Sequence, residues 1–265
     1  MCRDGYHLDL KFGRYTAACT WLEVLTGISP VGLSYRPEGV DVAAAHACQV
    51  AAHAAVQNPY EVTVLNMEGF NTRNDIRPTA LIKFNFGEKK EADPNWNSIT
   101  PQMRTFTWIT DANGNATGIT LTSTNAFLGT NTNGPSYTTT NMLMPSSVSQ
   151  SCMWGYAADS FGGQKPKSSC TLTLGHMNPD LKYDLTFFSS RQNCQDWRET
   201  AFTLQGDKVY TGGVEAANNI THTAIIKDVK PTADGRIIIN VAPGNRNNNK
   251  NKFYYLNAMT IKAHK

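Results

Sequence analysis

The first sixty residues carry apolar side chains at helical spacing. One stripe recurs three or four positions apart and consists of Tyr15, Ala18, Trp21, Leu22 and Leu25. This spacing predicts an amphipathic helix that buries the stripe. Gly27 follows the stripe and is expected to end the helix, because glycine readily adopts the left-handed conformation found after helices.

A second helical pattern begins near Asp41, a favourable N-cap, and is expected to end at Asn58-Pro59. Its stripe is made of small side chains, namely Ala44, Ala47, Cys48, Ala51 and Ala55. Two such helices lack the large apolar side chains that a core of their own requires. We therefore expect the alanine face to be covered either by homodimerisation through the N-terminal helices or by packing against the β-sandwich predicted for the later part of the chain.

Beyond about position 77 the pattern changes to short alternating segments. The predicted strands are 81–87, 104–109, 117–122, 170–174, 183–189, 201–205, 223–229, 236–241 and 253–262. Turn-forming pairs of Asn, Asp, Gly and Pro separate them. The sequence therefore predicts a mainly β fold, an antiparallel β-sandwich preceded by a short two-helix segment.

The expected domain boundaries are 1–60 for the helices, 61–76 for a linker and 77–265 for the sandwich. Residues 125–163 are rich in Thr, Asn, Ser and Gly, and they predict long ordered loops. The asparagine-rich run 245–251 predicts a solvated, mobile hairpin tip.

Composition narrows the class of protein. Of 265 residues 40% are hydrophobic and 10% aromatic, which supports a packed core. The net charge of +3 is small and no Lys/Arg cluster forms a face, so a nucleic-acid partner is not expected. No stretch reaches the roughly 18 apolar residues typical of a membrane span. The six cysteines lack the spacing of a zinc site, and free buried thiols are favoured over a disulfide among Cys152, Cys170 and Cys194.

Asp4 and His7 lie three positions apart, just ahead of the first predicted helix. An acid and a histidine in one loop suit the base half of a Ser-His-Asp arrangement, because the carboxylate holds the imidazole tautomer while the other ring nitrogen takes a proton from the serine. No serine motif precedes them in this chain.

The segments Cys2-Arg3-Asp4-Gly5-Tyr6-His7-Leu8 and Gly13-Arg14-Tyr15-Thr16-Ala17-Ala18 resemble the last conserved block of SGNH-type serine hydrolases, in particular a branch from gut Bacteroidetes. The resemblance covers about residues 2–57. It implies an orienting role for Asp4 and a general-base role for His7 in a full-length enzyme. The nucleophile and oxyanion-hole blocks of that family have no counterpart here. We therefore expect the chain alone not to hydrolyse esters, unless a partner chain supplies the nucleophile.

The β region resembles the galactose-binding-like jelly rolls appended to carbohydrate-active enzymes. The matching segments are 84–87, 96–100, 181–191, 198–200 and 255–259. The resemblance implies a domain that binds glycans or one that only supports a neighbouring catalytic domain. A structural calcium ion is compatible with such sandwiches, but no EF-hand-like spacing occurs, so neither metal ligands nor a cofactor are assigned.

Sugar recognition requires an aromatic platform beside hydrogen-bonding side chains, because a pyranose has an apolar C–H face and a rim of hydroxyls. The candidate carbohydrate-binding residues are Trp96, Asn97, Trp154, Tyr156, Arg191, Trp197 and Arg198. Two alternatives stay open. Trp96 and Trp108 can instead plug the core or an end of the sandwich, and Arg191 can form a structural ion pair with Glu199 or Asp196.

These observations predict the C-terminal part of a secreted SGNH-type carbohydrate esterase with a glycan-binding β-sandwich. The expected reaction of the full-length protein is hydrolysis of an O-acyl group on a polysaccharide. The expected location is the periplasm or the extracellular space, with an export signal upstream of this chain. The alternative is a purely structural accessory domain that docks a catalytic domain without binding sugar.

Overall fold

The computed structural model describes residues 7–60, 81–87, 95–100, 105–106, 109–115 and 117–265. Asp4, Trp108 and the predicted linker lie outside these residues. The chain divides into two compact units. The first comprises Met1–Asn71 with Gly114–Ala116, and the second comprises Thr72–Asn113 with Thr117–Lys265.

The described part of the first unit holds two helices, α1 (Phe12–Thr26) and α2 (Val42–Gln57). Gly27 ends α1 in the left-handed conformation with a φ of 70°. Asp41 caps α2, and its side chain accepts a hydrogen bond from the backbone N–H of Ala44 at 2.8 Å. Both helix boundaries predicted from the sequence are confirmed.

The buried face of α1 differs from the predicted stripe. Tyr15, Cys19 and Glu23 are buried, whereas Trp21 is 64% exposed and Leu25 is 72% exposed. This face packs on the small side chains of α2, in a cluster made of Tyr15, Cys19, Val40, Ala44, Ala45, Cys48 and Ala52. The predicted stripe is right at Tyr15 and wrong at Trp21 and Leu25, because it followed the largest apolar side chains. Of the predicted α2 stripe, only Ala44 and Cys48 belong to this cluster, whereas Ala47, Ala51 and Ala55 are half-buried. Homodimerisation stays a prediction that analytical ultracentrifugation can test.

The described part of the second unit contains fourteen strands and one short helix. They are β1 (Leu81–Phe86), β2 (Asn97–Ile99), β3 (Thr105–Phe106), β4 (Thr120–Asn125), β5 (Gly129–Asn131), α3 (Ser146–Gln150), β6 (Cys152–Tyr156), β7 (Cys170–Gly175), β8 (Lys182–Phe188), β9 (Glu199–Gln205), β10 (Val209–Glu215), β11 (Ala224–Val229), β12 (Ile237–Pro243), β13 (Phe253–Leu256) and β14 (Ala258–His264).

These strands form three sheets, with the orders β11-β8-β14-β1-β2, β10-β9-β12-β7-β4-β3 and β13-β6-β5. The described pairings are antiparallel except that of β1 with β2. The inward side chains of the two larger sheets share one hydrophobic core. Phe187 of β8 stacks on Phe202 of β9 with the ring centroids 4.2 Å apart. The predicted antiparallel β-sandwich is therefore confirmed.

Alternation along the strands explains why the two sheets face each other. In β7, Cys170, Leu172 and Leu174 are buried while the intervening residues are half-exposed. Their partner strand β12 buries Ile237, Ile239 and Val241 in the same way. Each such side chain contributes about 1.5–3 kcal/mol through burial.

Four strands were not predicted, namely β2, β5, β6 and β10, and the predicted strand 253–262 is split at Asn257. Asn257 is fully buried. Its Oδ1 accepts from the N–H of Ser190 at 2.7 Å, and its Nδ2 donates to the carbonyl of Ser149 at 2.9 Å. Because these bonds fix Asn257 between two strands, the chain passes from the three-stranded sheet to the centre of the five-stranded sheet.

Cysteines 19, 48, 152, 170 and 194 carry free thiols, as favoured from the sequence. Among the described residues, no helix combines the length and apolar character needed to cross a membrane. Within the same residues, no group of three or more His, Cys, Asp or Glu side chains is arranged to hold a metal ion.

Candidate functional site

A cavity of about 380 Å³ lies at the three-stranded sheet. It is lined by aromatic, cationic and small polar side chains, namely Thr130, Asn131, Trp154, Phe161, Arg191, Arg198, Phe253 and Tyr255. Its volume falls within the range of small-molecule sites. Among the residues that the structure describes, none that lines the cavity is acidic.

The pairing of β6 with β13 builds the aromatic wall of the cavity. Trp154 lies opposite Tyr255 in the register, and the Trp154 and Phe253 rings meet edge to face with centroids 5.7 Å apart. Phe161 completes the wall with its ring 4.9 Å from that of Phe253, and it is 46% exposed. The wall is therefore a packed aromatic cluster with one ring open to solvent.

Gly129 of β5 allows the Trp154 ring to lie against the neighbouring strand. The two residues are partners in the register. A Cβ atom at position 129 would lie 2.7 Å from Cζ2 of Trp154, closer than real Cβ contacts come. A glycine in a strand often marks such a close approach of another group.

Arg198 is held by three groups. Its Nε lies 2.5 Å from Oδ1 of Asp196, and its Nη1 donates to the hydroxyl of Tyr255 at 2.6 Å. Its Cζ lies 5.6 Å from the centroid of the Phe253 ring, a cation–π distance. Partial burial acts to lower the pKa of Arg198, but the bond to Asp196 and the nearby Tyr255 raise it above its ordinary value. The guanidinium is therefore a fixed, permanently charged donor.

The asparagine-rich run 245–251 holds Asp196, the ion-pair partner of Arg198. Asn249 is buried, and its Nδ2 donates to Oδ2 of Asp196. The Oδ1 of Asn249 accepts from the backbone N–H of Phe253 at 3.2 Å. The predicted mobile tip is wrong, because its amide side chains hydrogen-bond the backbone around them and fold the loop.

Arg191 is held mainly by hydrogen bonds of its backbone. Its N–H donates to the carbonyl of Ala216 at 2.8 Å, and its carbonyl accepts from the N–H of Asn218 at 2.8 Å. Its guanidinium makes one long hydrogen bond, from Nη1 to the carbonyl of Gln192 at 3.4 Å. No carboxylate of the described residues forms an ion pair with Arg191. The predicted alternative pairings are wrong, since Asp196 pairs with Arg198 and Glu199 pairs with Arg246.

Trp96 and Asn97 belong to the core of the sandwich. Trp96 is 4% exposed and packs in a cluster with Phe188. The Nδ2 of Asn97 donates to the carbonyls of Lys83 and Thr110 at 3.0 and 2.8 Å. The structure therefore supports the alternative in which Trp96 fills the interior of the domain. The burial of Trp96 and Asn97 does not support the prediction that they face a sugar.

Tyr156 and Trp197 also lie outside the lining. Tyr156 is fully buried, its ring is 6.3 Å from that of Trp154, and its hydroxyl donates to the carbonyl of Phe161 at 3.1 Å. It supports the aromatic wall from behind. Trp197 is 44% exposed and lies beneath Arg246, whose Cζ is 5.6 Å from the ring centroid.

The structure thus brings together three of the seven predicted residues, Trp154, Arg191 and Arg198. The lining residues that sequence reasoning missed are Thr130, Asn131, Phe161, Phe253 and Tyr255. One signal was present in the sequence. Alternation in the run Phe253-Tyr254-Tyr255 places the first and third rings on the same face of a strand.

His7 is exposed, and its predicted partner Asp4 lies outside the described residues. The helical unit holds another acid–histidine pair, with Nδ1 of His53 2.7 Å from Oε1 of Glu23. Ser29 Oγ lies 3.4 Å from the same Nδ1. A Ser-His-Asp relay uses both ring nitrogens, so this chain of contacts is not a catalytic triad.

Comparison with known proteins gives two matches. A family model described as a domain of unknown function (DUF4886) matches residues 1–55, which fall within the first unit. Among solved structures, TmCBM61 in complex with β-1,4-galactotriose is similar at 14% identity, over 42% of this chain and 70% of that chain, with a TM-score of 0.24. No curated protein sequence matches the chain.

Proposed function

We propose that the β unit binds a glycan in the cavity at the three-stranded sheet. The observation that carries this proposal is the combination of an aromatic wall with fixed hydrogen-bonding groups in one cavity. The apolar face of a pyranose packs on Trp154, Phe161 and Phe253. Its hydroxyls are matched by the side chains of Asn131 and Arg198 at the rim.

Preorganisation of the site favours binding. Asp196 and Tyr255 already hold Arg198, so little side-chain entropy is lost when a ligand arrives. The absence of a Cβ at Gly129 leaves room for the Trp154 ring to lie against the neighbouring strand. The cavity thus resembles a formed ligand site more than a gap left by poor packing.

Affinity electrophoresis of the whole chain in gels that contain plant or mucin polysaccharides tests the proposal. Phe161→Ala removes an exposed ring of the wall, and we expect it to weaken retention by about tenfold. Trp197→Ala removes a similarly exposed aromatic ring that does not line the cavity, and it should leave retention unchanged. A wild-type chain retained by none of the polysaccharides would overturn the proposal and favour a purely structural accessory domain.

We also propose that this glycan-binding unit serves a secreted carbohydrate esterase. The resemblance of residues 2–57 to SGNH hydrolases supports this context. In it, Asp4 orients His7, His7 acts as the general base on a polysaccharide O-acyl ester, and the protein works in the periplasm or outside the cell. A serine-containing block encoded in frame upstream of Met1 is expected, and its absence would contradict the proposal. Turnover of p-nitrophenyl acetate by the present chain that is lost in His7→Ala would instead indicate a nucleophile from a partner chain.

A further inference from the structure

The two arginines of the cavity differ in charge balance. Arg198 donates hydrogen bonds from Nε and Nη2 to the Asp196 carboxylate and from Nη1 to the Tyr255 hydroxyl. The carboxylate of Asp196 compensates its charge. Arg191 has one donor on a carbonyl and no ion pair among the described residues. Judged by the described residues, the cavity therefore carries one compensated and one uncompensated guanidinium, and no carboxylate lines it.

The position of Arg191 makes its charge available to a ligand. Its backbone is fixed by hydrogen bonds to Ala216 and Asn218, while Nε and Nη2 make no hydrogen bond within the part of the chain that the structure describes. A guanidinium offers these nitrogens as a planar fork that matches the two oxygens of a carboxylate. An anion that enters the cavity can take both donors without breaking an existing ion pair.

We infer that the glycan bound in this cavity carries a uronate carboxylate, which Arg191 recognises. This inference rests on the glycan-binding function proposed above. In a hexuronate the carboxylate projects from the edge of the sugar ring. A ring packed on Phe253 and Phe161 can therefore present its carboxylate to Arg191, which lines the same cavity. Neutral hexoses offer only hydroxyls at that position and leave the guanidinium charge uncompensated.

The test compares charged and neutral forms of one polymer with the whole chain. Affinity electrophoresis uses polygalacturonate, its fully methyl-esterified form, alginate, glucuronoxylan and neutral β-1,4-galactan. We expect at least one uronate polymer to bind, and the free acid to bind roughly ten- to hundredfold more tightly than its ester or neutral counterpart. Arg191→Gln should abolish this preference, and Arg191→Lys should retain part of it.

Controls separate this inference from the proposed function. Arg236→Gln removes a surface guanidinium outside the cavity, and it should leave the preference intact. Equal binding of acid and ester that still depends on Phe161 would overturn uronate recognition and leave glycan binding standing. A preference that survives in a folded Arg191→Gln chain, verified by its thermal unfolding, would also overturn it. Binding to none of the polymers would overturn both proposals.

Discussion

Arg198 and Tyr255 meet at the rim of the cavity, where Nη1 of the arginine donates to the tyrosine hydroxyl at 2.6 Å. The arginine precedes β9 and the tyrosine belongs to β13. The backbone N–H of Tyr255 also donates to Oγ1 of Thr200 at 3.1 Å, which ties the same two segments together. These contacts attach strand β13 of the three-stranded sheet to β9 of the sandwich. The same hydrogen bonds therefore orient a residue of the cavity and stabilise the fold.

Tyr255→Phe tests this link. The change leaves a donor of Arg198 without its partner in a partly buried place, and we expect the unfolding free energy to fall by about 1–3 kcal/mol. Glycan binding should weaken as well, because Arg198 is less firmly oriented. Urea denaturation gives the first quantity and affinity electrophoresis the second. Tyr137→Phe, at an exposed tyrosine outside the cavity, is the matched control. Equal stability of the two variants would contradict the expectation.

The sequence was informative where a local signal determines the outcome. The helix ends at Gly27 and Asp41 follow from backbone conformation and capping, and the alternation in β7 follows from burial of one face. Strand β10 was not predicted from the sequence, because its residues Gly212 and Gly213 have low strand propensity. Position 212 is a glycine for a tertiary reason, since a Cβ there would lie 2.9 Å from Cγ1 of Ile226.

The site was harder to predict because it depends on strand pairing. Trp154 and Arg198 were identified by residue type, but their neighbours Phe253 and Tyr255 reach them only through the register of β6 with β13. Residue type also selected Trp96, whose burial is decided by the packing around it. A sequence indicates which side chains suit a sugar, whereas tertiary contacts decide which of them share a cavity.

A dependence of stability on pH follows from Asp196 and Glu199, which lie within two residues of Arg198 in the chain. Burial acts to raise the pKa of Asp196 and of Glu199, but hydrogen bonds from Arg198 and Asn249 to the first and from Arg246 to the second lower both below their ordinary values of 3.8 and 4.5. A carboxyl group with a lowered folded-state pKa stabilises the fold above its ordinary pKa, and this contribution is lost as the pH falls through the folded value.

We therefore expect the unfolding free energy of the β unit to stay level down to about pH 5 and to decline steadily between about pH 4.5 and pH 3. Urea denaturation followed at a series of pH values measures the decline. Asp196→Asn removes one of the carboxyl groups whose pKa is lowered, so its curve should be flatter in this range. A curve for Asp196→Asn that runs parallel to the wild-type curve would show that this carboxylate does not contribute.

Asn257 should be a strong determinant of stability. Asn257→Ala leaves the N–H of Ser190 and the carbonyl of Ser149 buried without their side-chain partners. The expected loss is about 2–4 kcal/mol of unfolding free energy. Asn257→Asp keeps the acceptor and loses the donor, so it should also destabilise the fold. Asn245→Ala, at an exposed asparagine, is the matched control and should change stability by less than about 0.5 kcal/mol.

Gly129→Ala separates the geometry of the wall from the stability of the fold. The added methyl group would lie within 3.0 Å of two atoms of the Trp154 ring, so the ring must move away from β5. The ring is half-buried at the cavity, and its displacement changes the surface on which a sugar packs. We expect glycan binding to weaken by about tenfold, with a smaller effect on thermal unfolding than that of Asn257→Ala.

The matched control for this change is Gly213→Ala, which places a methyl group on β10, 3.3 Å from its nearest neighbour, the carbonyl oxygen of Thr200. It alters strand propensity in the same direction and leaves the aromatic wall untouched, so binding should be unchanged. Gly129→Ala with wild-type affinity would mean that the Trp154 ring is not a contact surface for the ligand. In that case Phe161 and Phe253 would form the sugar platform, because they line the cavity without resting on β5.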